Sequence, residues 1–146
     1  MSSIAVTGNA SGTGTQTLQS ANTNSTITQT LPVVDGTTLG YINAPLDSKT
    51  DSYSIVDGDQ GKVIYLASGA SKTFTIPANG SVAFATGTVL TFINMSSSSL
   101  SIAITTDTMY LAGTGSTGTR TLAQYGIATA IKMTSTTWLI SGNGLT

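Results

Sequence analysis

A chain of 146 residues has room for one ordinary domain with an arm, and this one is only 8% charged, about a third Ser and Thr, and devoid of His, Cys and Glu. Imidazole, thiolate and glutamate carry much of acid–base, nucleophilic and metal chemistry, so the composition points away from an enzyme and leaves no cofactor or metal site to expect. Six Asp against five scattered Lys and Arg give a net charge of −1, with no basic stripe for nucleic acid.

What remains is small, β-branched and hydroxylated, with 16 Gly, which suits pleated sheet and tight turns. Hydrophobic residues make up 39%, somewhat below an average globular chain, and no cysteine staples the fold. Ordering costs on the order of 1.5 kcal/mol per residue, so a thin core predicts help from partner subunits.

Taken in chain order, Met1 to Gly8 shows neither a basic leader nor a long apolar segment, and no later run approaches the length that crosses a bilayer. The expectation is synthesis in a cytoplasm and no membrane insertion. From Ser2 to Leu31 apolar residues are sparse, chiefly Ile4, Val6, Leu18, Ile27 and Leu31. They are too widely spaced for a core but alternate with β-prone Thr, which predicts an arm that adds strands to a partner, with those five residues as docking anchors. Asn43-Ala44-Pro45 reads as a hinge, giving an arm over residues 1–43 and a β-domain over 44–146.

Beyond the hinge, Lys62 to Leu66 carries apolar residues on both faces, as a central or partner-covered strand does. Thr73 to Ile76 and Ser81 to Phe84 alternate strictly, and Pro77-Ala78-Asn79-Gly80 between them reads as a turn. Val89 to Ile93 is two-sided again, Ser96 to Ser99 is a polar loop, and Leu100 to Thr105 alternates. Ala123 to Met133 comes nearest to a helix, yet Ile127, Thr129 and Ile131 at period two favour a strand; Thr137 to Ile140 is the last. Short strands at roughly 8–12-residue spacing predict a small all-β antiparallel sandwich with an extended N-terminal β arm.

Four motifs invite chemical readings and each has a plainer one. Gly113-Thr114-Gly115-Ser116-Thr117-Gly118 fits a dinucleotide fingerprint, but a β-prone segment follows where a helix is required, so it reads as a turn-rich loop. Asp57-Gly58-Asp59 starts like a calcium loop and lacks the later bidentate Glu, so it too reads as a turn, although Asp47, Asp51, Asp57 and Asp59 together offer carboxylates to a cation. Asn9, Asn24, Asn79 and Asn94 begin N-x-Ser/Thr triplets at about the chance rate for so Ser/Thr-rich a chain. Trp138, beside Leu139 and Ile140, reads as core, and Tyr53, Tyr65, Tyr110 and Tyr125 as half-buried anchors with hydroxyls at a rim. The likeness of Gly14-Thr15-Gln16-Thr17-Leu18 to Gly118-Thr119-Arg120-Thr121-Leu122 reads as composition, not as a repeat.

Tyr41-Ile42-Asn43-Ala44-Pro45, Ser52-Tyr53-Ser54-Ile55-Val56, Asp59-Gln60-Gly61-Lys62-Val63-Ile64-Tyr65, the run from Phe74 to Phe84 with Gly87-Thr88, Leu122-Ala123-Gln124-Tyr125-Gly126 and Thr137-Trp138-Leu139-Ile140-Ser141-Gly142 follow one another in an order that resembles a module recurring in bacteriophage fibre and virion structural proteins. The upstream run from Gln29 to Leu39 is similar to the segment that often precedes that module. The resemblance implies a small trimeric β-sandwich on the outside of a virion, made in the host bacterial cytoplasm, with no catalytic residues and no cofactor. Its implied partners are two further copies of itself and other virion proteins of the capsid, collar or tail. The chain is short and has no heptads, collagen triplets or repeat shaft, which favours a capsid decoration or head-fibre protein. The alternative is a tail-fibre or receptor-binding tip that contacts a host-surface glycan.

Overall fold

The structure, a computed structural model, describes residues 43–146. Nine strands follow in order: β1 (Leu46–Lys49), β2 (Tyr53–Ser54), β3 (Val63–Leu66), β4 (Lys72–Ile76), β5 (Val89–Asn94), β6 (Leu100–Ile104), β7 (Thr108–Leu111), β8 (Arg120–Thr134) and β9 (Thr137–Leu145). The described residues are all-β, with one short 3-10 turn at Asp57–Asp59 and no α-helix. The expected strands at Lys62–Leu66, Thr73–Ile76, Val89–Ile93, Leu100–Thr105, Ala123–Met133 and Thr137–Ile140 are β3, β4, β5, β6, β8 and the start of β9.

Ser81 to Phe84 is the exception. The amides of Ser81 and Val82 both donate to the carbonyl of Ala78, so the turn expected at Pro77–Gly80 winds on for several more residues. Its alternation serves to drop Phe84 into the core, where the ring meets Trp138 edge-on at 5.7 Å. Period two in four residues is too short a signal to separate a strand from such a turn.

All nine strands form one hydrogen-bonded sheet, but the expected antiparallel pairing holds only where β8 takes part. The other ladders, β1–β3, β3–β5, β2–β4, β4–β6 and β7–β9, are parallel. The physical reason is that alternation fixes which face of a strand is buried and is silent about direction. Parallel neighbours need a long crossover, and in every parallel ladder here a strand skips its successor and pairs with the next but one. The chain therefore winds as a coil, passing in turn through two parallel ladders, β1-β3-β5 and β2-β4-β6.

Successive passages are in step. Ser71 with Ser99, Gln60 with Thr88 and Asn79 with Asp107 are each joined by hydrogen bonds between residues 28 apart, the same offset as in the β3–β5 and β4–β6 registers. β8 then returns across the ends of both ladders. Its residues Arg120–Leu122 pair with β6 and Ile127–Ile131 pair with β5, while β9 lies along its other edge.

One strand can serve two ladders only if it is kinked, and the kink falls at Tyr125, which has φ of 60° inside a register shift between Leu122 and Ile127. Gly126 makes the bend possible, because a Cβ there would stand 2.6 Å from Leu122 Cδ1 and 2.8 Å from the Ala123 carbonyl oxygen.

The inward sides of both ladders share one core. Ile64, Leu66, Leu90 and Phe92 come from the first, Phe74, Ile76, Leu100 and Ile102 from the second, and Met109, Trp138 and Ile140 from β7 and β9. Phe74 touches both Phe92 and Tyr53 at 6.4 Å between ring centroids. Each such side chain contributes about 1.5–3 kcal/mol on burial.

Candidate functional site

The five anchors expected in the arm, Ile4, Val6, Leu18, Ile27 and Leu31, lie outside the described residues. Within them, the carboxylates that sequence offered to a cation are spent on the protein itself. Asp59 is buried; it accepts from the Tyr53 hydroxyl at 3.0 Å and the Val56 amide at 2.9 Å, and Lys62 Nζ stands 3.5 Å away. Asp47 pairs with Lys49 at 2.9 Å, Asp51 with Lys72 at 2.8 Å, and Asp57 accepts from the Gln60 side chain.

The Lys72 hydrogen bond and then the Ser52 amide hold the exposed Asp51 carboxyl below its usual range. Among the described residues no three potential metal ligands converge.

The glycine-rich segment likewise belongs to the backbone. Gly113, Gly115 and Gly118 have φ of 86°, 71° and 107°, the left-handed region open to glycine, and the loop folds back so that Thr117 bridges Tyr110. β8 follows it, not a helix. Asn94 is buried; its amide nitrogen donates to the carbonyls of Ser98 and Leu122, and its oxygen accepts from the Ser96 amide. Trp138 is fully buried, as expected.

What the sequence did not single out is the outer face of the sheet from β1 to β7. Pairing aligns Leu46, Val63, Thr91, Thr129 and Ser141 in one row across β1, β3, β5, β8 and β9. A second row is Ser48, Tyr65, Ile93, Ile127 and Asn143, and a third, across β5, β8, β9 and β7, is Val89, Ile131, Leu139 and Tyr110. No charged residue stands in any of them. Leu46, Val89, Tyr110, Ile127, Ile131 and Leu139 are all exposed.

The signal was present in part. Two-sided apolar strands predict a cover over the outer side, and β3 and β5 carry such runs, but the assembly of the rows depends on a strand order that sequence does not reveal.

At the edge of this face stands Tyr125, 71% exposed on its strained bulge instead of half-buried. A bulky residue in the left-handed region is costly, and such outliers concentrate where a side chain must be aimed. On the inner side, β8 buries Lys132 among aromatic rings, its Nζ 2.8 Å from Asn79 Oδ1. No protein-family model matches the chain, and no curated protein and no solved structure matches it.

Proposed function

We propose that this chain is a non-enzymatic structural protein of a bacteriophage virion, a capsid decoration or head-fibre protein that associates as a homotrimer, attaches through its N-terminal arm and turns its β-domain outward. The observation that carries the reading is the uncharged outer face, three aligned rows of apolar, hydroxyl and amide side chains with no ionic group to select a charged partner. A surface so made suits contact between copies of the same chain, because isolated charge is what such interfaces deplete. The engagement of Asp47, Asp51, Asp57 and Asp59 by the protein's own donors supports the absence of chemistry. In this reading the ladders β1-β3-β5 and β2-β4-β6 act as the two layers of a sandwich joined along β8.

The test is the mass and the address of the protein. Light scattering on full-length protein at micromolar concentration is expected to report three times the 14.8 kDa of the chain, and imaging of intact particles to find hundreds of copies on the capsid. A stable monomer, or a location off the particle, overturns it.

Tyr125 favours a second reading, a tail-fibre or receptor-binding tip. An exposed aromatic ring held in a fixed, strained bulge is a means of stacking on a host-surface sugar. A dozen or so copies at the tail, instead of hundreds on the capsid, select that reading.

A further inference from the structure

Lys132 projects from β8 into the core and is 1% exposed. Its Nζ lies 5.3 Å from the ring centroid of Trp138 and 5.9 Å from that of Phe84, and it donates one hydrogen bond, to Asn79 Oδ1 at 2.8 Å. Among the described residues no carboxylate lies within ion-pair distance of it. Both partners are fixed through their backbones: the Asn79 amide donates to the two oxygens of Asp107 at 3.3 and 3.2 Å, while Lys132 exchanges hydrogen bonds with Gly87 and Thr88. The Trp138 indole N–H is buried without a partner, the only such side-chain polar atom among the described residues, and it belongs to the ring that Lys132 overlies.

A primary amine buried between two aromatic rings is thus held against a half-buried carboxamide, within reach of amine–amide exchange.

We propose that Lys132 and Asn79 join spontaneously as an isopeptide bond. The lone pair of the neutral amine attacks Asn79 Cγ, and the carbonyl π pair moves onto Oδ1. A proton passes from Nζ to Nδ2, the carbonyl re-forms, and the Cγ–Nδ2 bond breaks to release ammonia. Amine plus primary amide give secondary amide plus ammonia, with no oxidant, reductant or cofactor consumed.

A hydrogen bond to Oδ1 is not itself the attack geometry. Rotation about Asn79 χ2, a broad torsion, turns the face of Cγ toward Nζ without moving the backbone. Proximity replaces a bimolecular encounter, and the aromatic rings around Nζ shield the nucleophile from solvent. The product ties β8 to the turn after β4, across 53 residues of a chain that has no cysteine.

The experiment is the intact mass of purified full-length protein, with fragment sequencing after proteolysis. Wild type is expected to be lighter than its sequence by one ammonia, with a joined fragment carrying Lys132 and Asn79. Lys132→Met and Asn79→Ala are expected at their full sequence masses. Asn79 precedes Gly80, and ring closure onto the Gly80 nitrogen also expels ammonia. A wild-type loss of ammonia with no joined fragment is that imide and overturns the proposal, as does wild type at its full sequence mass. The wild-type fragments decide the matter by themselves if either variant fails to fold.

Discussion

The half-buried Tyr53 phenol donates to the buried Asp59 carboxylate, and its behaviour with pH follows from that contact. Removing the carboxylate in Asp59→Ala leaves a half-buried hydroxyl and an amide without their acceptor, so a loss of about 1 kcal/mol is expected in urea denaturation. Burial and then the bond to Asp59 raise the Tyr53 phenol above its ordinary 10.0. With the folded value above the unfolded one, the stabilisation is complete below about pH 10 and is lost as pH rises through the folded value.

Lys49 over the Tyr53 ring acts in the same sense: burial pulls it down, but the Asp47 bond and neighbouring negative charge leave it above 10.5. Wild type is therefore expected to lose more of its urea midpoint between about pH 8 and about pH 11 than Tyr53→Phe does. At Tyr125, Tyr125→Gly relieves left-handed strain while adding chain entropy, so stability stays within about 1 kcal/mol of wild type, whereas the β-branched Tyr125→Val falls below it. Lys132 was open to sequence reasoning, since it stands in phase with Leu122, Ala128 and Ala130 on one side of β8. A lysine in that phase reads as an interruption until the tertiary fold supplies its amide.

At the scale of the element, β8 joins the two ladders and contributes a residue to each of the three uncharged rows. Ile131 and Leu139 are register partners in its third row, so Ile131→Asp with Leu139→Asp places two carboxylates at its centre. The pair of changes points outward and is expected to leave the far-UV β spectrum intact while reducing the scattering mass to that of one chain. An undiminished mass places subunit contact elsewhere.

Element existence was legible because alternation at Thr73–Ile76 and Leu100–Ile104 records a buried side directly. The 28-residue step was not. Val63-Ile64-Tyr65-Leu66 and Thr91-Phe92-Ile93-Asn94 share a pattern of inside and outside but no residue at any aligned position, and stacking rungs asks only for the pattern. The outer face was legible as two-sided runs in β3 and β5, and only pairing showed where they lead.

For the whole molecule, the described residues hold a continuous core of their own, and the Val63 amide donates to the Pro45 carbonyl at the very start. Protein beginning at Ala44 is accordingly expected to be soluble, β-rich and cooperatively folded. Under the proposed attachment it fails to bind particles that lack the protein, whereas full-length protein rebinds them. Binding at the full-length level would assign attachment to the β-domain.

The coil also has a mechanical polarity. β1 and β2 come first in the chain and each pairs with a single neighbour, β2 through only two residues, while β8 and β9 near the C-terminus are embedded among neighbours. Tension entering at residue 43 reaches the least supported rung first, so β1 and β2 peel away ahead of the rest and yield slack while the β3-to-β9 body keeps its shape. A protein tethered through its N-terminal end in this way has its shock absorber beside the tether.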